Sequence, residues 1–345
     1  MQQNAMGRAR VTETTTRLSR MRVIQMLLGV VWLFDGVLQL QPSMFAPSFV
    51  TDTLVPTADG NPRPIASAIV AVSRFIEPHI AIWNVSFALV QLLIGLGLLF
   101  RRTVRTALAA SFVWSILVWI LAEGLGGILT GTASPLSGAP GAVLLYILVG
   151  LLVWPRPEVS TLAHPRGQVP GDTCPDGGGL PVNGEPQPPN PLLSDGFVGG
   201  TGARIVWGVL WVGSAVLLLQ PVNMTAGAIT RLLLAAKADQ PSGYAHLLSE
   251  VGAVLAPYSA QLTLLAAAAM VVVGLGVAFG WAVRPLVAVA VAIAVMIWVF
   301  PEGLGGILTG SGTDPNTGPL LVLLALYIYW GTWENATTSS SPGAE

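Results

Sequence analysis

Fifty consecutive residues, 106–155, carry a single charged side chain, Glu123, and residues 285–333 carry only Glu302 and Asp314. Apolar runs of roughly 18 residues or more are long enough to cross the hydrocarbon of a bilayer. A soluble chain would have to bury these runs, and an ordinary soluble domain is about 25% charged. This chain of 345 residues is 10% charged and 53% hydrophobic. Its mean hydropathy is +0.69. The sequence therefore predicts an all-α, polytopic membrane protein whose main partner is the lipid bilayer.

The first apolar run follows five Arg, as a signal peptide would, but it contains Asp35 and is followed by bulky residues where a cleavage site needs small ones. It reads as a retained first helix. The single cysteine, Cys174, excludes an intrachain disulfide and a CxxC pair. A net charge of −1 identifies no partner, and no nucleic acid is expected.

The chain matches itself at an offset of 179. GVVWLFDGVLQLQP at 29–42 aligns with GVLWVGSAVLLLQP at 208–221, eight of fourteen positions being identical. Arg105 aligns with Arg284, Trp119 with Trp298, and the nonapeptide EGLGGILTG recurs unchanged at 123–131 and 302–310. After Gly131 the register shifts by a residue or two. Each repeat holds four apolar segments, about 22–41, 79–100, 105–122 and 138–154, then about 204–221, 258–280, 284–301 and 318–333. An even number returns the chain to its starting side, so the expected architecture is eight transmembrane helices in two parallel four-helix repeats. The expected organisation is a basic tail (1–21), repeat one (22–154), a cytoplasmic linker (155–203), repeat two (204–333) and a C-terminal tail (334–345). The linker has ten Pro and ten Gly in 49 positions, too many for a packed core, and spans about 40 Å as a flexible chain.

Twelve of the sixteen basic residues fall on one side of this scheme. By the excess of Lys and Arg in cytoplasmic loops, both termini are expected inside a plasma membrane and both EGLGGILTG copies outside. The outer loops contain Ile65, Ile69, Val72 and Ile76, and Tyr244, Leu248, Val251 and Leu255, at helical spacing. They predict short amphipathic helices on the membrane surface or capping the bundle.

Glu123 and Glu302 each end a third apolar segment and are followed by further apolar residues. A carboxylate just inside the membrane boundary needs hydrogen bonds or a counter-charge. Gly126, Gly127, Gly305 and Gly306 can expose backbone N–H groups to it, and Arg74 is a candidate counter-ion. Because irregular backbone at membrane depth must be packed in protein or line a wet cavity, the segment reads as a buried turn or broken helix. The carboxylates then either staple that turn or form a site for an ion, proton or small solute. Gln41 and Gln220, each followed by Pro, stop the first helices and reach toward the same level. Asp35, Gln39, His79, Asn84 and Gln91 stand where repeat two has Ser214, Leu218, Tyr258, Thr263 and Met270. Polar groups inside membranes are functional candidates, and Asp35, His79 and Glu123 are expected to converge on one outward-facing cavity. Met44 and Met224 lack a Met-x-Met or His-rich cluster, so no metal is expected. Asn223-Met-Thr225 matches a glycosylation sequon. No P-loop, GxSxG, HExxH or CxxCH motif occurs. No cofactor is indicated, and the chain is not expected to be an enzyme on its own.

The first helix, GVVWLFDGVLQL, and the stretch QLLIGLGLLFRRTVRTALAASF, where a Gly-rich helix end meets an Arg turn, resemble the DoxX/DoxD group of four-helix membrane proteins. VVVGLGVAFGWAVRPLVAVA echoes this in the second half. The resemblance implies a tandem pair of four-helix bundles and an accessory role in quinone-linked membrane redox chemistry. EGLGGILTG has no counterpart in it. Three functions are carried forward: a transporter or channel site, a redox accessory subunit with a membrane redox partner, and a structural assembly factor.

Overall fold

The computed structural model describes residues 2–155 and 200–338, with side chains for 20–155 and 200–330. The described residues are helical, and no strand occurs among them. The linker residues 156–199, with Cys174, lie outside them.

In the first half, α1 (Gln2–Leu38), α3 (Ile80–Leu99) and α4 (Val104–Leu121) are long apolar helices. The shorter α2 (Arg63–Ile76) precedes α3, and α5 (Ala142–Leu152) closes the half. In the second half the corresponding long helices are α6 (Gly200–Leu218), α9 (Ser259–Ala278) and α10 (Val283–Val299). The shorter α7 (Ala228–Ala236) and α8 (Ser242–Leu255) lie between the first two, and α11 (Thr317–Thr338) ends the described chain. Helical periodicity therefore located α2 and α8 correctly.

Six helical segments are long and apolar enough to cross a membrane. Ala142–Leu152 is shorter: eleven residues rise only about 16 Å, half of a ~30 Å hydrocarbon core. α1 begins at Gln2, well before the expected first segment. Leu, Val, Ile and Phe side chains such as Phe75, Ile82, Val209 and Leu265 stand exposed on the helices, as expected of surfaces facing lipid rather than water.

Packing follows the small residues. α1 crosses α3 where Gly29 and Gly95 meet: a Cβ on Gly29 would lie 3.0 Å from the Gly95 carbonyl oxygen. α6 crosses α9 at Gly208 and Gly274, the positions 179 residues on, with a Cβ on either lying 3.2 Å from the other's carbonyl oxygen. Small residues let helix backbones approach closely where dispersion, not water exclusion, drives association. One buried core runs through both halves. It joins Trp32 of α1 and Tyr146 of α5 to Trp207 and Trp211 of α6 and Leu324 of α11, with α5 packed against α11.

The ends of the bundle differ. At one, the Arg22 guanidinium donates to the last carbonyls of α3, Leu98 (2.9 Å) and Leu99, and Arg20 to Trp330 O of α11 (3.4 Å). Arg22 so placed at the C-terminus of α3 satisfies orphan carbonyls and complements the helix dipole. The two EGLGGILTG copies lie at the other end.

Candidate functional site: the two EGLGGILTG turns

Within each nonapeptide the backbone winds the wrong way. Gly124, Leu125, Gly126 and Gly127 have φ of 54, 59, 61 and 69°, and Gly303, Leu304, Gly305 and Gly306 have 55, 58, 66 and 68°. Four consecutive residues thus form a left-handed turn. Each L-residue so placed costs roughly 1–2 kcal/mol because Cβ crowds the next carbonyl. This explains three glycines in four, and it leaves Leu125 and Leu304 strained, a state usually retained where surrounding structure over-determines it. Space adds a second demand. A Cβ on Gly126 would fall on the Pro140 carbonyl, and one on Gly305 would lie 2.6 Å from Pro315 C.

The approach of Pro140 and Pro315 is fixed by matching indole bonds. Trp119 Nε1 donates to Pro140 O and Trp298 Nε1 to Pro315 O, both at 2.8 Å. Thr130 donates to Gly127 O and Thr309 to Gly306 O, both at 2.7 Å. These pairs expose a correction to the register. Up to Gly131 the offset is 179; from Pro140 onward it is 175. The shift is four residues, not one or two, and the first half's longer loop holds the extra chain, including the turn Pro135–Ser137.

The glycines do not serve the carboxylates. Gly126 and Gly305 N–H groups donate to the backbone carbonyls of Glu123 and Glu302, both at 2.9 Å. Glu123 Oε1 instead accepts from Val143 N at 3.3 Å. Glu302 accepts from the Thr317 hydroxyl and from Gly318 N at 3.4 Å. The acceptors therefore sit on the N-termini of α5 and α11, where free N–H groups and the helix dipole favour negative charge. Among the described residues Arg74, the expected counter-ion, pairs with neither. Gly141 makes room for this: a Cβ there would fall on Glu123 Oε2.

The two carboxylates differ in surroundings. Glu123 is half-buried, and its enclosed Oε2 has no hydrogen-bond partner. Burial, with a smaller push from the nearby Asp314, raises its carboxyl to about 8 against the opposing α5 N–H groups. Glu302 is 7% exposed and lines a pocket of about 370 Å³. Asp314, Asp239, Thr309 and, from the first half, Thr53 also line it. Asp314 accepts from Thr313 Oγ1 (2.8 Å) and Asn316 N (2.7 Å). Burial raises its carboxyl above the ordinary range despite these bonds.

Of the other expected site residues, Asp35 is 2% exposed in the core, where the Tyr146 hydroxyl donates to its Oδ2 and Oδ1 has no partner. Tyr146 lies one turn along α5 from the N–H groups that hold Glu123, and both Glu123 and Asp314 act on it electrostatically. Asp35 and Glu123 thus flank Tyr146. His79 does not join them: it is exposed in the turn Glu77–His79 before α3. Gln39 and Asn84 pair with each other in the core.

Gln41 reaches the nonapeptide region of the opposite half, donating to Gly312 O at 3.1 Å, beside the Ser43 bond to Gly310 O at 2.5 Å. Gln220 makes no counterpart bond among the described residues, and its Oε1 is buried without a partner there. Asn223 does the reciprocal work, donating to Ala133 O at 3.0 Å. That side chain is buried, which argues against its sequon being used in this fold. Residues the sequence reading passed over are Asp239, Gln240, Asp314, Tyr146 and Thr317. One signal was available: Asn61 and Gln240 are both amides at the 179 offset, and they bond Thr57 O and Ala236 O in the same way.

Comparisons with protein-family models, with curated proteins and with solved structures return no match.

Proposed function

We propose that this is a multi-pass plasma-membrane protein that binds or passes a small solute, ion or proton at an outward-facing site built on the second EGLGGILTG turn. The observation that carries this reading is the 370 Å³ pocket lined by Glu302, Asp314 and Asp239. Ligand pockets are typically 300–1,000 Å³ and have few, placed polar groups. Support for outward orientation comes from the Arg-rich opposite end, whose bias marks the cytoplasmic side. Support for two parallel four-helix repeats comes from the paired glycine crossings, left-handed turns and indole bonds. In this arrangement α5 and α11 begin at the level of the buried Glu, and the turn and loop above them make up the remaining thickness.

The pocket reading is tested by placing a single cysteine at the exposed Ser311 in a Cys174→Ser background. Protection from an impermeant maleimide is then measured across anionic, neutral and cationic solutes. If none protects a freely labelled cysteine, the pocket is not a binding site. Glu302→Gln should abolish protection. The orientation is tested separately by a cysteine at the exposed Asp59, which should label in intact cells; labelling only after lysis reverses the topology.

A second reading has its own observation. Both Glu carboxylates hold helix N-termini, as a purely structural staple would. If Glu123→Gln and Glu302→Gln both prevent accumulation in the membrane and no solute protects, the structural assembly role prevails. The DoxX-like redox role rests on the helix-end resemblance and falls if the purified protein neither binds a quinone nor copurifies with an oxidoreductase.

A further inference from the structure

We propose that the occupant of the second-copy pocket is a small organic ammonium ion bearing N–H donors, a protonated primary amine. This rests on the reading that the pocket binds a solute, and adds its chemical class. Among the described residues, three carboxylates, Glu302, Asp314 and Asp239, line the pocket, and no Lys, Arg or His does. Two cations of the same segment are turned elsewhere: Lys237 donates to Ser249 at 3.0 Å and Arg231 to Thr225 at 2.5 Å.

A separate observation asks for a donor. Gln240 lines the pocket, is 9% exposed, and spends its amide N–H on Gly303 O and Ala236 O (2.9 and 3.2 Å). Its Oε1 is enclosed with no hydrogen-bond partner. A buried acceptor without a donor costs about 1–3 kcal/mol, which an ammonium N–H would relieve. Unlike the carboxylates, this amide cannot be satisfied by taking up a proton.

Other cations fit less well. A quaternary ammonium is held by aromatic faces, and among the described residues no aromatic side chain lines the pocket. Among the described residues, no group of three or more His, Cys, Asp or Glu is placed to hold a metal ion. The volume of about 370 Å³ is also far larger than a bare ion needs, since water itself occupies about 30 Å³ per molecule. Asp239 is the selective element. It stands where the first half has Gly60, and it holds the same left-handed backbone, φ 57° against 73°.

The test uses the full-length protein with Cys174→Ser and Ser311→Cys, and four probes: 1,4-diaminobutane, tetramethylammonium, butane-1,4-diol and succinate. The diamine should slow maleimide labelling saturably. The diol and succinate should not, and tetramethylammonium should act at least tenfold more weakly. Asp239→Asn should weaken diamine protection at least tenfold without changing the thermal stability of the unliganded protein. The residue is exposed, and Asn tolerates left-handed backbone, so the variant keeps its fold. Equal protection by diol or succinate would overturn the cation class while leaving a binding pocket. Failure of the diamine to protect, or indifference to Asp239→Asn, would overturn the inference even if another solute in the wider panel protects.

Discussion

The two EGLGGILTG turns have the same backbone and different neighbours. Each winds left-handed through four residues, packs on a proline carbonyl fixed by a tryptophan, and sets its Glu on a helix N-terminus. Around the second copy stand Asp239 and Asp314; the first copy has Gly60 and Ala139 at those places. Core and rim have therefore separated their roles. The first half keeps its extra acid in the core, as Asp35 bonded to Tyr146, where the second has Ser214 and Leu321. The second half keeps its acids around a pocket. A shared scaffold thus carries two different arrangements of charge, with Asp314 acting on the Glu of each copy.

The largest effect should come from what the copies share. Gly126→Ala and Gly305→Ala each force a Cβ into left-handed backbone, at about 1–2 kcal/mol, and into a proline backbone, at roughly 1–3 kcal/mol more. Both variants should accumulate poorly or melt early. Normal accumulation and melting of either would remove the left-handed turn from the account. Next is the core pair. Tyr146→Phe leaves buried Asp35 with no donor and should destabilise by about 1–3 kcal/mol, read by thermal unfolding in detergent; Leu321→Ala, at the matching position, offers the contrast of simple cavity formation. An unchanged transition for Tyr146→Phe would make the pair incidental.

The pocket should respond to pH in a way the first copy does not. Burial raises the Asp314 carboxyl above the ordinary carboxylate range. A cation needs the ionised form, so amine protection should weaken on acidification while the pH is still above that range. Asp314→Asn should remove this step. A flat profile in the parent protein would break the comparison. Smaller again is the difference in capping. Thr317→Val removes a hydroxyl donor from Glu302 and should cost about 1 kcal/mol. Ala142→Ser gives Glu123 the donor it lacks and should recover a similar amount. If both changes move stability in the same direction, the two caps are not equivalent. The smallest effects are the cross-half bonds: Gln41→Ala and Asn223→Ala should each cost about 0.5–1.5 kcal/mol, additively if the halves are coupled only through the core.

Much of this was written locally in the sequence. Ile65, Ile69, Val72 and Ile76 recur with helical period, and α2 formed where they do. The 179 offset matched Gly95 with Gly274 and paired the two Glu, but that Gly29 meets Gly95, and Gly208 meets Gly274, came only from the fold. Local pattern says nothing about partners far along the chain. Glu123 finds Val143 across a loop whose length is not periodic, so the four-residue change in register was invisible until the indole bonds located both prolines. Asp314 was legible as a charge in an apolar run, but nothing nearby tied it to Glu302. His79 was misplaced because sequence gives depth along a helix and not direction around it. Asp239 could have been noticed as an acid standing in a glycine's place.

Gln41 and Ser43 hold Gly312 and Gly310 from the opposite half, so the rim of the pocket hangs from the end of α1. A solute that widened this mouth would pull on a helix outside its own half. The joint between the halves therefore lies at the rim of the pocket, and the first half, which has fewer acids at its own turn, holds in place the mouth of the second.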